Sequence, residues 1–219
     1  MILGRSLLET VAFLFSLLIA IDVHEFAHAW MANELGDPTA RYQGRLSLNP
    51  LVHLDPMGTM MMLFSLFSGF GIGWGKPVPV DPRYLRKGPR VGMGLVAAAG
   101  PIANLVLAAI AAVPIRLGVT MSWSLLNLLF ILISVNIGIA LFNLLPIPPL
   151  DGASILRGIL STIRARWAYQ ISDAFDRIGA QGYMIFFLLI LVDQILPISI
   201  LGLILGRPAS LLLRLMIGL

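Results

Sequence analysis

His24-Glu25-Phe26-Ala27-His28 interrupts an apolar run covering residues 7–34, and that placement restricts what the chain can become. A run of this length in hydrocarbon must satisfy its backbone N–H and C=O groups internally, which makes it a helix. On a helix the two histidines lie one turn apart on one face and can reach a single Zn²⁺. Glu25 is one residue on, placed to take a proton from an attacking water. Two imidazoles and a carboxylate are costly against lipid, so this face must turn toward other helices of the same protein. With three histidines in 219 residues, chance is a poor account of the pattern. One Zn²⁺ per chain is the expected cofactor.

Composition extends this to the whole chain. It is 58% hydrophobic and 12% charged, with a mean hydropathy of +0.91. No soluble domain hides that much apolar surface, so the expectation is an all-α integral membrane protein, one membrane-embedded domain over residues 1–219. The net charge of +4 comes from Arg and Lys in short loops. It reads as topology signal and headgroup contact, with the bilayer as partner and nucleic acid excluded. Zero cysteines exclude disulfides and thiolate ligands. The N-terminal run is too long for a signal peptide and lacks a small-residue cleavage site.

The apolar pattern predicts spans at about 7–34, 91–115, 123–145 and 181–206, the last with a break at Pro197 and a short tail after Arg207-Pro208. Residues 57–74 are apolar but short and are expected to re-enter the membrane without crossing it. Thr39–Leu48 and Trp74–Val80 look strand-like and predict a small β-hairpin near the cytoplasmic face. The prolines at 77 and 79 suit an edge that could clamp an extended substrate. An amphipathic interfacial helix is expected at about 153–180. If 57–74 re-enters, the 15 Lys and Arg divide 11 to 4 between the two sides; if it crosses, 10 to 5. Charge barely separates these, but the first places the ends of 7–34 and 123–145 on one face, close to the cytoplasm.

Catalytic zinc usually takes three protein ligands. Met31 and Glu34 occupy the places of the metzincin glycine and third histidine, and no glutamate follows Glu34 to serve as a gluzincin ligand. That leaves His53 and the aspartates at 22, 37, 55, 81, 151, 173, 176 and 193. Asp151 stands out at the end of Asn143-Leu144-Leu145-Pro146-Ile147-Pro148-Pro149-Leu150-Asp151-Gly152. The prolines stop a helix and Gly152 permits a tight turn, so a carboxylate there can aim inward as a ligand or cap the helix that follows.

HEFAH on a membrane helix followed by NLLPIPPLDG resembles the site-2 protease family of intramembrane zinc metalloproteases. Asn49-Pro50 with His53, Gly73-Trp74-Gly75-Lys76-Pro77-Val78-Pro79-Val80 and Ala99-Gly100-Pro101-Ile102-Ala103-Asn104 are similar to its compact bacterial and archaeal members, without a PDZ or CBS module. The resemblance covers roughly residues 20–152. It implies zinc ligands at His24, His28 and Asp151, with Glu25 as general base in the hydrolysis of peptide bonds of transmembrane protein substrates. A departure is that no span precedes the HExxH helix, as one does in many members.

Further site residues are candidates with two readings each. His53 could donate to the developing oxyanion, sit in a headgroup loop, or be a fourth ligand. Asn104 and Asn143 could hold the substrate backbone or bridge helices. Asp22 is expected to pack inside the bundle. The alternative function is a non-catalytic zinc-binding membrane protein, a transporter or pseudoprotease, which would not need Glu25. An enzymatic runner-up is a membrane-tethered protease acting on soluble peptides. Oligomeric state stays open, because glycines at 92, 94, 100 and 138 allow close helix approach within one chain or between chains.

Overall fold

A computed structural model describes residues 7–68, 75–179, 181–196 and 198–219. The described helices are α1 (Leu7–Glu34), α2 (Thr39–Tyr42, one turn), α3 (Pro56–Ser68), α4 (Pro89–Arg116), α5 (Trp123–Asn143), α6 (Asp151–Thr162), α7 (Arg166–Gly179), α8 (Gly182–Ile195) and α9 (Ile200–Ile217). Four of them, α1, α4, α5 and α9, are long and apolar enough to cross a membrane.

Gly36 ends α1. Its φ of +106° closes the last turn, with Gly36 N–H donating to Asn33 O and Asp37 N–H to Ala32 O. Helix α4 then packs antiparallel to α1, pairing His28 with Val96 and His24 with Asn104. Helix α5 returns against α4, with Ala108, Ala111 and Ala112 seating Ile133, Ile137 and Ile217 of α9. Alanines on α4 let these neighbours approach closely, which is how helices associate when lipid is as apolar as their side chains. Helices α1 and α5 therefore run in the same direction. The chain leaves α1 and enters α4 at the same end of the bundle.

Several expectations shift. The strand predicted at Thr39–Leu48 starts instead with the α2 turn, because buried Asp37 accepts from Thr39 N–H at 3.0 Å and Thr39 Oγ1 at 2.5 Å and draws the chain into a helical bend. Among the described residues there is no strand; Leu54 and Gly75 form an isolated antiparallel bridge. Trp74, and residues 69–74 of the expected re-entrant segment, lie outside the described residues. The helix expected at 153–180 is two, α6 and α7, broken at 163–165 and starting at Asp151. The apolar run at 181–206 divides between α8 and α9. Leu196 is extended, as a residue before proline prefers, and Ser199 caps α9 by accepting from Gly202 N–H at 2.8 Å. Pro197 itself lies outside the described residues. Pro208 sits inside α9, so the fourth helix of membrane-spanning length is Ile200–Ile217.

Candidate metal centre and its cavity

Helix α1 delivers His24 and His28 from one face, with their rings edge to face at 4.5 Å between centroids. Asp151 reaches them from the first residue of α6. Its Oδ2 lies 3.1 Å from His24 Nε2 and 3.4 Å from His28 Nε2. Leu150 is extended at the N-cap position and makes no side-chain cap, so Asp151 projects inward. Gly152 makes this possible, because a Cβ there would collide with the carbonyl oxygens of Leu144 and Leu145.

The hydrogen bonds behind the histidines decide what the three groups can hold. Asn136 donates to Leu132 O in its own helix, which leaves its Oδ1 to accept from Asn104 Nδ2 at 2.8 Å. Asn104 Nδ2 also donates to Ala20 O at 2.9 Å. Both amide protons of Asn104 are thus consumed, and its Oδ1 faces His24 Nδ1 at 2.7 Å. An oxygen there requires a proton on Nδ1. His28 Nδ1 likewise donates to Val96 O at 2.8 Å. With Nδ1 carrying the proton, each imidazole in its neutral form turns its Nε2 lone pair toward Asp151 Oδ2, which is buried and accepts no hydrogen bond among the described residues.

Three lone pairs facing one point call for a cation. Tetrahedral zinc with bonds near 2.0–2.1 Å separates its ligand atoms by roughly 3.3 Å, and the Nε2–Oδ2 distances fit that. No other His, Asp or Glu among the described residues joins this cluster.

A cavity of about 620 Å³ opens beside the cluster. Glu25, His24, His28 and Asp151 form one part of its wall, and Asn143, Val78, Phe142 and Phe186 form others. Glu25 faces residues 75–80: a Cβ at Gly75 would lie 3.8 Å from its Oε1. Asn143 donates one amide N–H to Ile139 O and is among the residues that line the cavity.

The other candidates sit elsewhere. His53 is 1% exposed and is not part of the cavity wall. Its Nε2 lies 2.8 Å from Ser47 O and 3.7 Å from Asp22 Oδ1, so its ring ties the loop after α2 to α1. Asn104 is buried between α1, α4 and α5 and reaches the cluster through His24 alone. Sequence reasoning missed Asn136, although it stands two turns before Asn143 in an apolar helix and so carried a signal. It also missed the role of Gly100, where a Cβ would fall 2.6 Å from His24 Cε1 and from His28 Nε2.

A two-histidine, one-aspartate cluster beside a glutamate, in a bundle of membrane-length helices, defines a metallopeptidase-type membrane protein. Residues 111–191 match the model of Peptidase family M50. The chain is 40% identical over 169 residues to "Putative zinc metalloprotease YwhC" of Bacillus subtilis, covering 73% of this chain and 74% of that one. It is 33% identical over 146 residues to "Putative zinc metalloprotease Rip2" of Mycolicibacterium smegmatis, covering 64% and 53%. The chain thus spans about half the length of Rip2. No solved structure matches. The chain belongs to peptidase family M50, the site-2 protease family.

Proposed function

We propose that this protein is an intramembrane zinc endopeptidase that hydrolyses peptide bonds of transmembrane protein substrates. The observation that carries this reading is the convergence of the His24, His28 and Asp151 lone pairs on one point at the wall of an apolar cavity, beside Glu25. His24, His28 and Asp151 would hold zinc there, and it would supply the Lewis acidity that makes a water acidic near neutral pH. Glu25 takes a proton from the attacking water and passes it to the leaving amine. Asn143 is the group placed to donate to the oxygen that gains charge.

A substrate must be extended before its carbonyl can be attacked. Val78 and Val80 have backbone N–H groups without partners among the described residues, and both residues line the cavity. We read residues 75–80 as the surface along which an unwound substrate segment lies. Because α1 ends and α4 begins at one end of the bundle, the reading also takes α3, about 20 Å long at 1.5 Å per residue, as part of a re-entrant segment. The positive-inside rule then puts the cluster near the cytoplasmic face of the cell membrane.

The test is zinc content and cleavage in purified protein. Wild type should hold about one zinc per chain. Glu25→Gln should keep zinc and lose cleavage of transmembrane segments, Asp151→Ala should lose zinc, and His53→Ala should keep it. Zinc retained by Asp151→Ala would break the ligand assignment, and full activity in Glu25→Gln would break the mechanism.

A further inference from the structure

Gly75, Pro77, Val78 and Val80 line the cavity that the metal cluster also lines, yet little in the sequence of residues 75–80 holds them. Pro77 and Pro79 have no N–H to give. Lys76 N–H donates to His53 O at 2.8 Å, and at the far end Asp81 N–H donates to Asp37 Oδ2 at 2.7 Å. The carbonyl side is held by one residue. Arg45 Nη2 donates to Lys76 O and, at 3.3 Å, to Pro77 O, while Nη1 donates to Val52 O.

Arg45 is 5% exposed, and among the described residues no carboxylate pairs with it. Burying a guanidinium without a counter-charge is a poor route to stability, since desolvation offsets most of what three carbonyls return. What the planar fork offers is geometry: it joins two loops at fixed angles, which a lysine ammonium cannot do as well. The local chain presents it for that use. Gly44 adopts φ +67° immediately before it, and Arg45 N–H closes the α2 turn by donating to Ala40 O at 2.8 Å.

We propose that Arg45 is a positioning residue for the peptidase: by gripping the Lys76 and Pro77 carbonyls it fixes residues 75–80 beside Glu25 as the surface that aligns an extended substrate. This rests on the peptidase reading given above. Arg45 touches neither the metal ligands nor the cavity, so its loss should spare the metal and impair peptide alignment.

The chain has no cysteine, so Val78→Cys can be labelled without background. Full-length Arg45→Ala and Arg45→Lys should be compared with wild type for zinc content, binding of acetohydroxamate and of a tripeptide hydroxamate, and maleimide labelling of Val78→Cys. In Arg45→Ala we expect unchanged zinc and acetohydroxamate binding, tripeptide hydroxamate binding weakened about tenfold, and faster labelling. Arg45→Lys should recover part of the loss. Unchanged tripeptide affinity and labelling would overturn the proposal. Zinc loss in both variants would also overturn it, by showing that Arg45 supports the whole bundle. A wild type that binds neither zinc nor acetohydroxamate would overturn the peptidase reading, and with it the substrate role of Arg45, whatever the labelling shows.

Discussion

Gly100 and Asn104 show how narrowly the cluster depends on single atoms of α4. At Gly100 a methyl group would occupy the space of both imidazoles. Gly100→Ala should therefore lower zinc affinity at least about tenfold, although alanine favours a helix by about 1 kcal/mol over glycine. Unchanged helical content by circular dichroism beside lost zinc would separate these effects. Asn104 sets the proton on His24 through a chain running from Leu132 O by way of Asn136. Replacing it with leucine leaves His24 Nδ1 without its acceptor and Asn136 Oδ1 without its donor. Zinc affinity should fall roughly 10- to 100-fold, read by competition with a chelator, and full affinity in Asn104→Leu would refute the relay. The HExxH spacing and Asp151-Gly152 were legible in the chain because they are local. The part played by Asn104 was not, since its three partners come from α1 and α5.

Among the elements, α6 is the one whose placement completes the cluster. The prolines between α5 and α6 could be read directly as a stop. How α6 then docks could not, because it depends on Gly94 of α4 meeting Gly158, where a Cβ on either would lie 3.1 Å from the other's Cα. A large side chain at this crossing should pry α6 away and carry Asp151 with it. Gly158→Leu is expected to lose zinc while keeping its helices, measured by metal analysis and circular dichroism. Retained zinc would mean that the prolines and Gly152 alone place Asp151. The ion pairs of Asp176 with Arg90 and Arg157 join α7 to the same corner but are exposed at 3.2 Å, and their loss should change stability by no more than about 1 kcal/mol. Helix boundaries at the C-terminal end were the least legible. Apolar composition runs through α8 and α9 alike; the break, expected at Pro197, lies between Ile195 and Ile200, and Ser199 and Asp193 cap α9 through Gly202 and Leu201.

For the whole molecule, the parallel course of α1 and α5 puts the C-terminal end of α1, the start of α4 and residues 144–165 at one end and the 117–122 link at the other. Single cysteines at Lys87 and Ala165 should label from the same side of the membrane, and one at Gly118 from the opposite side, in intact cells and inverted vesicles. Lys87 and Ala165 labelling from opposite sides would remove the re-entrant reading. Side-by-side order of helices was beyond the sequence, because apolar faces of similar composition pack on one another without directional preference. By itself the sequence determined that the chain is a helical membrane protein with a metal-binding helix, since apolar length and one-turn spacing are properties of neighbouring residues. The tertiary structure alone decided that Asn104 and Val96 orient the histidines, that His53 turns away to Asp22 and Ser47, and that Arg45 grips the cavity wall. Those outcomes depend on which distant backbone carbonyls and amides come within hydrogen-bond reach, and that is a consequence of packing.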